Sequence, residues 1–232
     1  MQVSNRLKLV ASFVSGEGTV ADIGTDHGYI PIYLVKHHIA NGVIAMDVVD
    51  GPLERARKHI KQHKLEDRIT VRKSNGLQKL EKGEAHTVVI AGMGGGLVIK
   101  ILQERMDIAK TVKEFVLSPQ SEIPQVRRFL QENGFSIEKE QMIKEDGKYY
   151  VVMRVVLGKG NYYTNLDFEF GKYLIENKDK TFIEYLEKEE EKKRLVIEKL
   201  KTLSSENSKK RIEEISKQLE WIQQVKQYIN EE

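Results

Sequence analysis

Two carboxylates with three residues between them, set among glycines, stand in Asp22-Ile23-Gly24-Thr25-Asp26-His27-Gly28-Tyr29. The residues leading in, Val20 and Ala21, read as a buried strand that runs into a tight acidic turn and opens a helix. Glycine at 24 and 28 lets the backbone approach a ligand closely and adopt conformations closed to other residues. Carboxylates at 22 and 26 suit a cation and repel a phosphate. A dinucleotide turn needs G-x-G-x-x-G, and Asp26 stands where the second glycine would meet the pyrophosphate. The G-x-x-x-x-G-K-[ST] loop of nucleoside triphosphate binders is also missing. A ligand carrying an amine and a sulfonium fits the turn better.

Other chemistry is sparse. His59 and His63 stand at i and i+4 on an expected helix without a third ligand in reach, so a solvated helix face is expected there and no metal. With no cysteine, disulfides, cysteine-ligated zinc and thiol nucleophiles are excluded. The 232 residues are 40% hydrophobic and 31% charged, an ordinary balance for a globular protein with a charged helical appendage. No apolar run reaches the roughly 18 residues of a membrane span and no leader follows Met1, so a cytoplasmic location is expected. Residues 1–160 carry 24 Lys and Arg against 19 Asp and Glu, whereas 161–232 carry 14 against 16. The basic first part suits a polyanion such as RNA.

The elements that must hold the acidic turn follow a βαβ rhythm. Strands are expected near 18–23, 42–47, 69–73, 87–91 and 114–118, and helices near 4–15, 28–40, 52–63, 94–105 and 122–132. Pro31 and Pro52 fall in first helical turns, and Asp50 is placed to cap the third helix. After Gly134 two strands follow directly, near 135–141 and 148–157, joined across Glu145-Asp146-Gly147. The expected architecture is α/β: a Rossmann-like parallel sheet ended by an antiparallel hairpin.

This layout and the residues at its strand ends resemble the class I S-adenosylmethionine (SAM) methyltransferases. Asp22 to Gly28 looks like their first motif, and Ala91-Gly92-Met93-Gly94-Gly95 occupies the place of the fourth. Asp47 resembles the acid that accepts the cofactor's ribose hydroxyls, with Val48 beside it, and Asn75-Gly76 resembles the pair at its adenine. The resemblance thus implies cofactor binding by Asp22, Gly24, His27, Asp47, Val48, Asn75, Gly76, Gly92 and Met93. In an open α/β sheet these strand ends border one crevice. Each has a plainer alternative: Asp22 capping amides, Asn75-Gly76 as an ordinary turn, His27 capping a helix, Met93 and the glycines serving packing. Arg6, on the first helix, reads as a solvated charge, the alternatives being an anchor for the cofactor carboxylate or a contact to the substrate.

Together with Leu117-Ser118-Pro119-Gln120 and the charged helical tail, these motifs resemble one family over nearly the whole chain, the bacterial tRNA (adenine-22-N1)-methyltransferases. The resemblance implies methyl transfer from SAM to N1 of a D-arm adenine, with tRNA as partner. No Asp/Asn-Pro-Pro-Tyr/Phe follows the fourth strand, which disfavours an exocyclic amine as target. Adenine N1 already offers an in-plane lone pair, so positioning can carry catalysis. Asp26 is the candidate to stabilise charge developing on the base. Tyr29 is the candidate stacking platform, its alternative being packing of its helix on the sheet.

From about residue 161 a second domain is expected, giving boundaries of 1–160 and 161–232. Leu174, Phe182, Leu186, Val196, Leu200 and Leu203, then Ile212, Ile215, Leu219, Ile222 and Ile229, recur at helical spacing around a break at 204–208. That pattern reads as an antiparallel coiled-coil hairpin with Asn207 or Ser208 capping its second helix. Lys192, Lys193, Arg194, Lys209, Lys210 and Arg211 are candidates to touch tRNA phosphates, the alternative being a solvated face. A monomer or weak homo-oligomer is expected. The rival readings are a SAM-dependent methyltransferase for another substrate and a non-catalytic RNA-binding scaffold.

Overall fold

Uninterrupted apolar runs such as Val43-Ile44-Ala45-Met46 and Val88-Val89-Ile90 are buried on both faces, which marks inner strands of a parallel sheet. The computed structural model describes residues 3–160, 162–203 and 205–231. The chain divides into two compact units, Met1–Tyr162 and Tyr163–Glu232.

In the first unit, α1 (Asn5–Ser12) precedes β1 (Thr19–Ile23), a short 3-10 turn (Asp26–Gly28) and α2 (Tyr29–Lys36). Then come β2 (Gly42–Asp47), α3 (Asp50–Gln62), β3 (Ile69–Lys73), β4 (Thr87–Ala91), α4 (Gly95–Glu104) and α5 (Met106–Ala109). The unit ends with β5 (Glu114–Ser118), α6 (Ile123–Glu132), β6 (Phe135–Glu145) and β7 (Lys148–Leu157). The seven strands lie in the order β3-β2-β1-β4-β5-β7-β6. β1 to β5 are parallel, β7 runs antiparallel to β5, and β6 pairs antiparallel with β7, as the Glu145-Asp146-Gly147 turn between them requires. The order reverses between β1 and β4, so their carboxyl ends flank the crevice where open α/β sheets bind ligands. Burial of β1, β4 and β5 side chains, about 1.5–3 kcal/mol for each large aliphatic, fixes that edge rigidly.

Two local expectations are corrected. Asp50 does not cap α3: Val49 occupies the cap, and the Asp50 carboxylate takes Lys73 Nζ at 2.6 Å. Asp47 does the turning instead, accepting Val49 N–H at 2.9 Å. β6 also runs to Glu145, past the expected end at 141, with a register shift between Ile137 and Lys139.

The second unit begins with two short helices that the periodicity did not reveal, α7 (Asn165–Phe170) and α8 (Lys172–Glu176). α7 opens on a capping box of Thr164 and Asp167. The hairpin is α9 (Lys180–Lys201) and α10 (Glu206–Glu231), held by Phe182, Leu186 and Ile197 on one helix and Ile215, Leu219, Ile222, Val225 and Ile229 on the other. Val196 and Leu203, expected in the seam, are 37% and 57% exposed. Ile197 lies eleven residues after Leu186, close to three full turns, so it and not Val196 shares that face. Leu174 is buried but belongs to α8. The cap of α10 is Ser205, whose Oγ accepts Ser208 N–H at 3.1 Å, so Asn207 and Ser208 are inside the helix.

Candidate active site

The loop after β1 is fastened to the end of β2, with Gly24 N–H and Thr25 N–H both donating to Met46 O, at 2.8 and 3.0 Å. Gly24 takes φ +79°, and a Cβ there would sit 2.3 Å from Met93 Cε. Met93 therefore lies across Gly24 and joins the first motif to the fourth. That contact supports its packing alternative and still puts it on the ligand loop.

Asp22 is 3% exposed under this loop, and burial pushes its carboxyl up to about 7, the Thr25 hydroxyl opposing and the Asp47 charge adding. A buried acid beside a second acid lacks a counter-charge, and a bound cation would provide one. At the end of β2, Asp47 accepts Ser74 N–H through its carbonyl at 2.9 Å, while Val48 and Val49 are 54% and 55% exposed. An acid beside exposed aliphatic groups fits a nucleoside: hydroxyls at the carboxylate and a base against the valines. Asn75, at the end of β3, is exposed, and Gly76 turns at φ +54° where a Cβ would press on Ile101 at 3.0 Å.

Asp26, His27 and Tyr29 are braced by α3. Arg55 Nη2 lies 2.9 Å from Asp26 Oδ1, and His59 Nδ1 lies 2.9 Å from the His27 carbonyl. His27 is at φ +59°, a conformation that costs a non-glycine residue about 1–2 kcal/mol. Its ring stacks on Tyr29 at 5.2 Å and 5°, and His59 stands within 5.6 and 5.8 Å of the two rings. Gly28, at φ +70°, lets the turn sit against Ala56 of the same helix. Arg55 and His59 are thus site residues that sequence reasoning missed. The His59–His63 pair does not converge, since His63 Nδ1 meets Lys36 Nζ at 3.1 Å instead.

At the fourth motif, Gly92 N–H donates to Ser118 O at 3.2 Å and Gln120 N–H to Met93 O at 2.8 Å. A Cβ on Gly95 would meet Ser121 O at 2.4 Å, so this glycine serves close packing. The start of α4 is taken by the chain's own carboxylate: Gly96 N–H donates to Glu122 Oε2 at 3.0 Å, which holds that carboxyl below its usual range. A phosphate has no claim on this helix end.

Arg6 is not the solvated charge expected. It stands 4.0 Å from Glu145 and 4.9 Å from the Tyr150 ring centroid, and its Nη1 is buried without a hydrogen-bond partner among the described residues. In the second unit, Lys192, Arg194, Lys209 and Arg211 form ion pairs one helical turn away, with Glu189, Glu190, Glu206 and Glu214. Lys193 reaches Gln218 across the hairpin at 3.0 Å, and Lys210 is exposed.

Four strand ends meet here, with the buried Asp22, the Asp47 carboxylate and the exposed Val48 and Val49 along them. Residues 20–224 match the model of the family described as tRNA (adenine(22)-N(1))-methyltransferase. The chain belongs to that family. The curated tRNA (adenine(22)-N(1))-methyltransferase of Bacillus subtilis is 29% identical over 97% of both chains. Among solved structures, a putative tRNA (m1A22) methyltransferase of Streptococcus pneumoniae in complex with S-adenosyl-L-methionine is 33% identical, with a TM-score of 0.87 over 97% of this chain and 99% of that one. A Mycoplasma capricolum family member in complex with S-adenosyl-homocysteine is 26% identical, with a TM-score of 0.86 over 99% and 100%. By contrast, a ribosomal protein L11 methyltransferase of Syntrophomonas wolfei matches 57% of this chain and 43% of its own length. The methyltransferase fold is therefore shared widely, whereas the adenine-22 family extends through the helical tail.

Proposed function

We propose that the chain transfers a methyl group from S-adenosylmethionine to N1 of adenine 22 in tRNA, in the cytoplasm, as a monomer or weak oligomer. The observation that carries this reading is the convergence of Asp22, Gly24, Asp47 and Gly92 on one crevice in a chain whose family match runs from 20 to 224. When bound, the cofactor supplies an electrophilic methyl carbon on a sulfonium. Asp47 would accept its ribose hydroxyls, Val48, Asn75 and Gly76 would flank its adenine, and Gly24 with Met93 would border it. Asp22 and Asp26 supply negative potential at the cationic end.

The target N1 lies on the Watson–Crick edge, so the base must leave its pairing partner to reach the crevice. The Tyr29 ring, half-buried and backed by His27, offers a stacking surface at the mouth. Asp26, exposed and oriented by Arg55, faces solvent where the base arrives and offsets the positive charge that methylation leaves on it. Lys192, Lys193, Arg194, Lys209, Lys210 and Arg211 support the tRNA away from the reacting base, through phosphates and without sequence readout.

The test is incubation with isotopically labelled SAM and unmodified total tRNA, followed by digestion to nucleosides and mass spectrometry. Labelled 1-methyladenosine mapped to position 22 is the expected product. Label in another nucleoside, or only in protein when a cell extract is supplied, overturns the reading.

A further inference from the structure

The motif Leu117-Ser118-Pro119-Gln120 ends β5, on the other side of β4 from the strand ends that carry Asp47 and Asn75. On the reading proposed above, the ends of β2 and β3 hold the nucleoside and Gly92 and Met93 border the cofactor, which leaves the end of β5 beside them for the methyl acceptor. Gln120 is delivered there by the register: Ala91 pairs with Ser118, Pro119 is buried, and Gln120 N–H is tied to Met93 O at 2.8 Å. Its side chain is exposed, and no described residue bonds its amide.

The amide folds back over the fourth motif. Gly92 is at φ +83°, and the point where its Cβ would stand lies 3.9 Å from Gln120 Nε2 and 3.8 Å from Arg6 Nη1. Apart from chain neighbours, no other described residue comes within 4 Å of that point. The open face of Gly92 is therefore bounded by two polar groups, one of them a buried guanidinium nitrogen without a partner among the described residues.

We propose that Gln120 is the adenine-reading residue of the acceptor site, pairing its amide with the N6 amino group and N7 of the target base. A carboxamide presents an acceptor and a donor side by side, which matches that edge of adenine. Guanine shows two acceptors on the same edge, O6 and N7, and sets one of them against the amide oxygen. Reading from this side leaves N1 free of any protein bond, as attack on the methyl requires.

The experiment compares tRNA transcripts carrying adenosine or 7-deazaadenosine at position 22, with wild type, Gln120→Ala and Gln120→Glu. Wild type is expected to lose about ten- to a hundredfold in kcat/KM when N7 is deleted. Gln120→Ala loses a comparable factor on adenosine and nothing further on 7-deazaadenosine. Gln120→Glu keeps the side chain's size but sets an acceptor against N7, so it does no worse on 7-deazaadenosine than on adenosine, the reverse of wild type. SAM affinity by calorimetry stays at the wild-type value in both variants. Equal sensitivity to N7 in all three enzymes, or weakened SAM binding in the variants, overturns the assignment. Failure of wild type on the adenosine transcript removes the methyltransferase reading itself, and the assignment with it.

Discussion

Arg55 Nη2 stands 2.9 Å from Asp26 Oδ1 and His27 Nε2 3.5 Å from it, so the carboxylate proposed to face the reacting base is held from helix α3 as well as from its own loop. The Arg55 and Asp26 side chains are 46% and 61% exposed, and a pair in that setting contributes at most about 1 kcal/mol to stability. Its value is orientation. Asp26→Ala is expected to lower kcat by about a hundredfold with SAM affinity intact. Arg55→Ala should reduce kcat less, with a melting temperature close to wild type. Single-turnover rates beside calorimetric SAM affinities check both, and abolished SAM binding in Asp26→Ala would make it a binding residue instead.

Tyr29 shares a three-ring cluster with His27 and His59. If its ring stacks on the target base, Tyr29→Phe retains activity, whereas Tyr29→Ala weakens tRNA binding by about 1–3 kcal/mol and leaves SAM affinity unchanged. Equal loss in both variants, measured as kcat/KM for tRNA, would assign the tyrosine to hydroxyl chemistry or packing. His59→Ala should resemble a milder Tyr29→Ala, because it frees the His27 carbonyl and one edge of the cluster.

The buried Asp22 carboxyl gives a pH signature. Its value is raised from 3.8 to about 7 by burial, so the folded chain binds this proton more tightly than the unfolded one. The stability it contributes is complete below 3.8 and is lost as pH rises through about 7. Asp22→Asn should then stabilise the ligand-free protein at pH 8, by at most about 4 kcal/mol, and leave it nearly unchanged near pH 4. Urea unfolding at the two pH values measures this. SAM, a cation, should bind wild type more tightly as pH rises through 7, and the uncharged-sulfur by-product should show less of that dependence. A flat wild-type SAM profile would count against a role for Asp22 in holding positive charge.

Strand ends with acids and glycines are legible in the sequence because their signals are local. Asp22 to Gly28 and Ala91 to Gly95 declare tight backbone and charge without reference to the rest of the chain, and the five parallel strands follow from apolar runs of the right length. Arg55 and His59 are not legible, since their role depends on which face of α3 meets the turn, a tertiary outcome. Arg6 escapes the sequence for the same reason: its partners Glu145 and Tyr150 arrive from the distant hairpin of β6 and β7. In the tail, periodicity marks the two long helices but not their register, and eleven-residue spacing shifts the seam from Val196 to Ile197.

The cations of the hairpin carry the remaining prediction. Arg211 holds Glu214 at 2.6 Å, and the two side chains are 58% and 60% exposed, as are Lys209 and Glu206 at 69% and 85%. Exposed pairs of this kind are weak enough for a phosphate to displace the glutamate at little cost. Replacing Lys209, Lys210 and Arg211 together by alanine should therefore weaken tRNA binding and lower the steepness of its salt dependence, by up to about 0.9 for each duplex phosphate no longer neutralised. Unfolding midpoints should barely move, because none of the three lies in the buried seam. SAM affinity should not move at all. A gel-shift series across salt concentrations decides the matter, for an unchanged slope would leave these residues as a solvated face and place the tRNA-binding surface on the basic first unit.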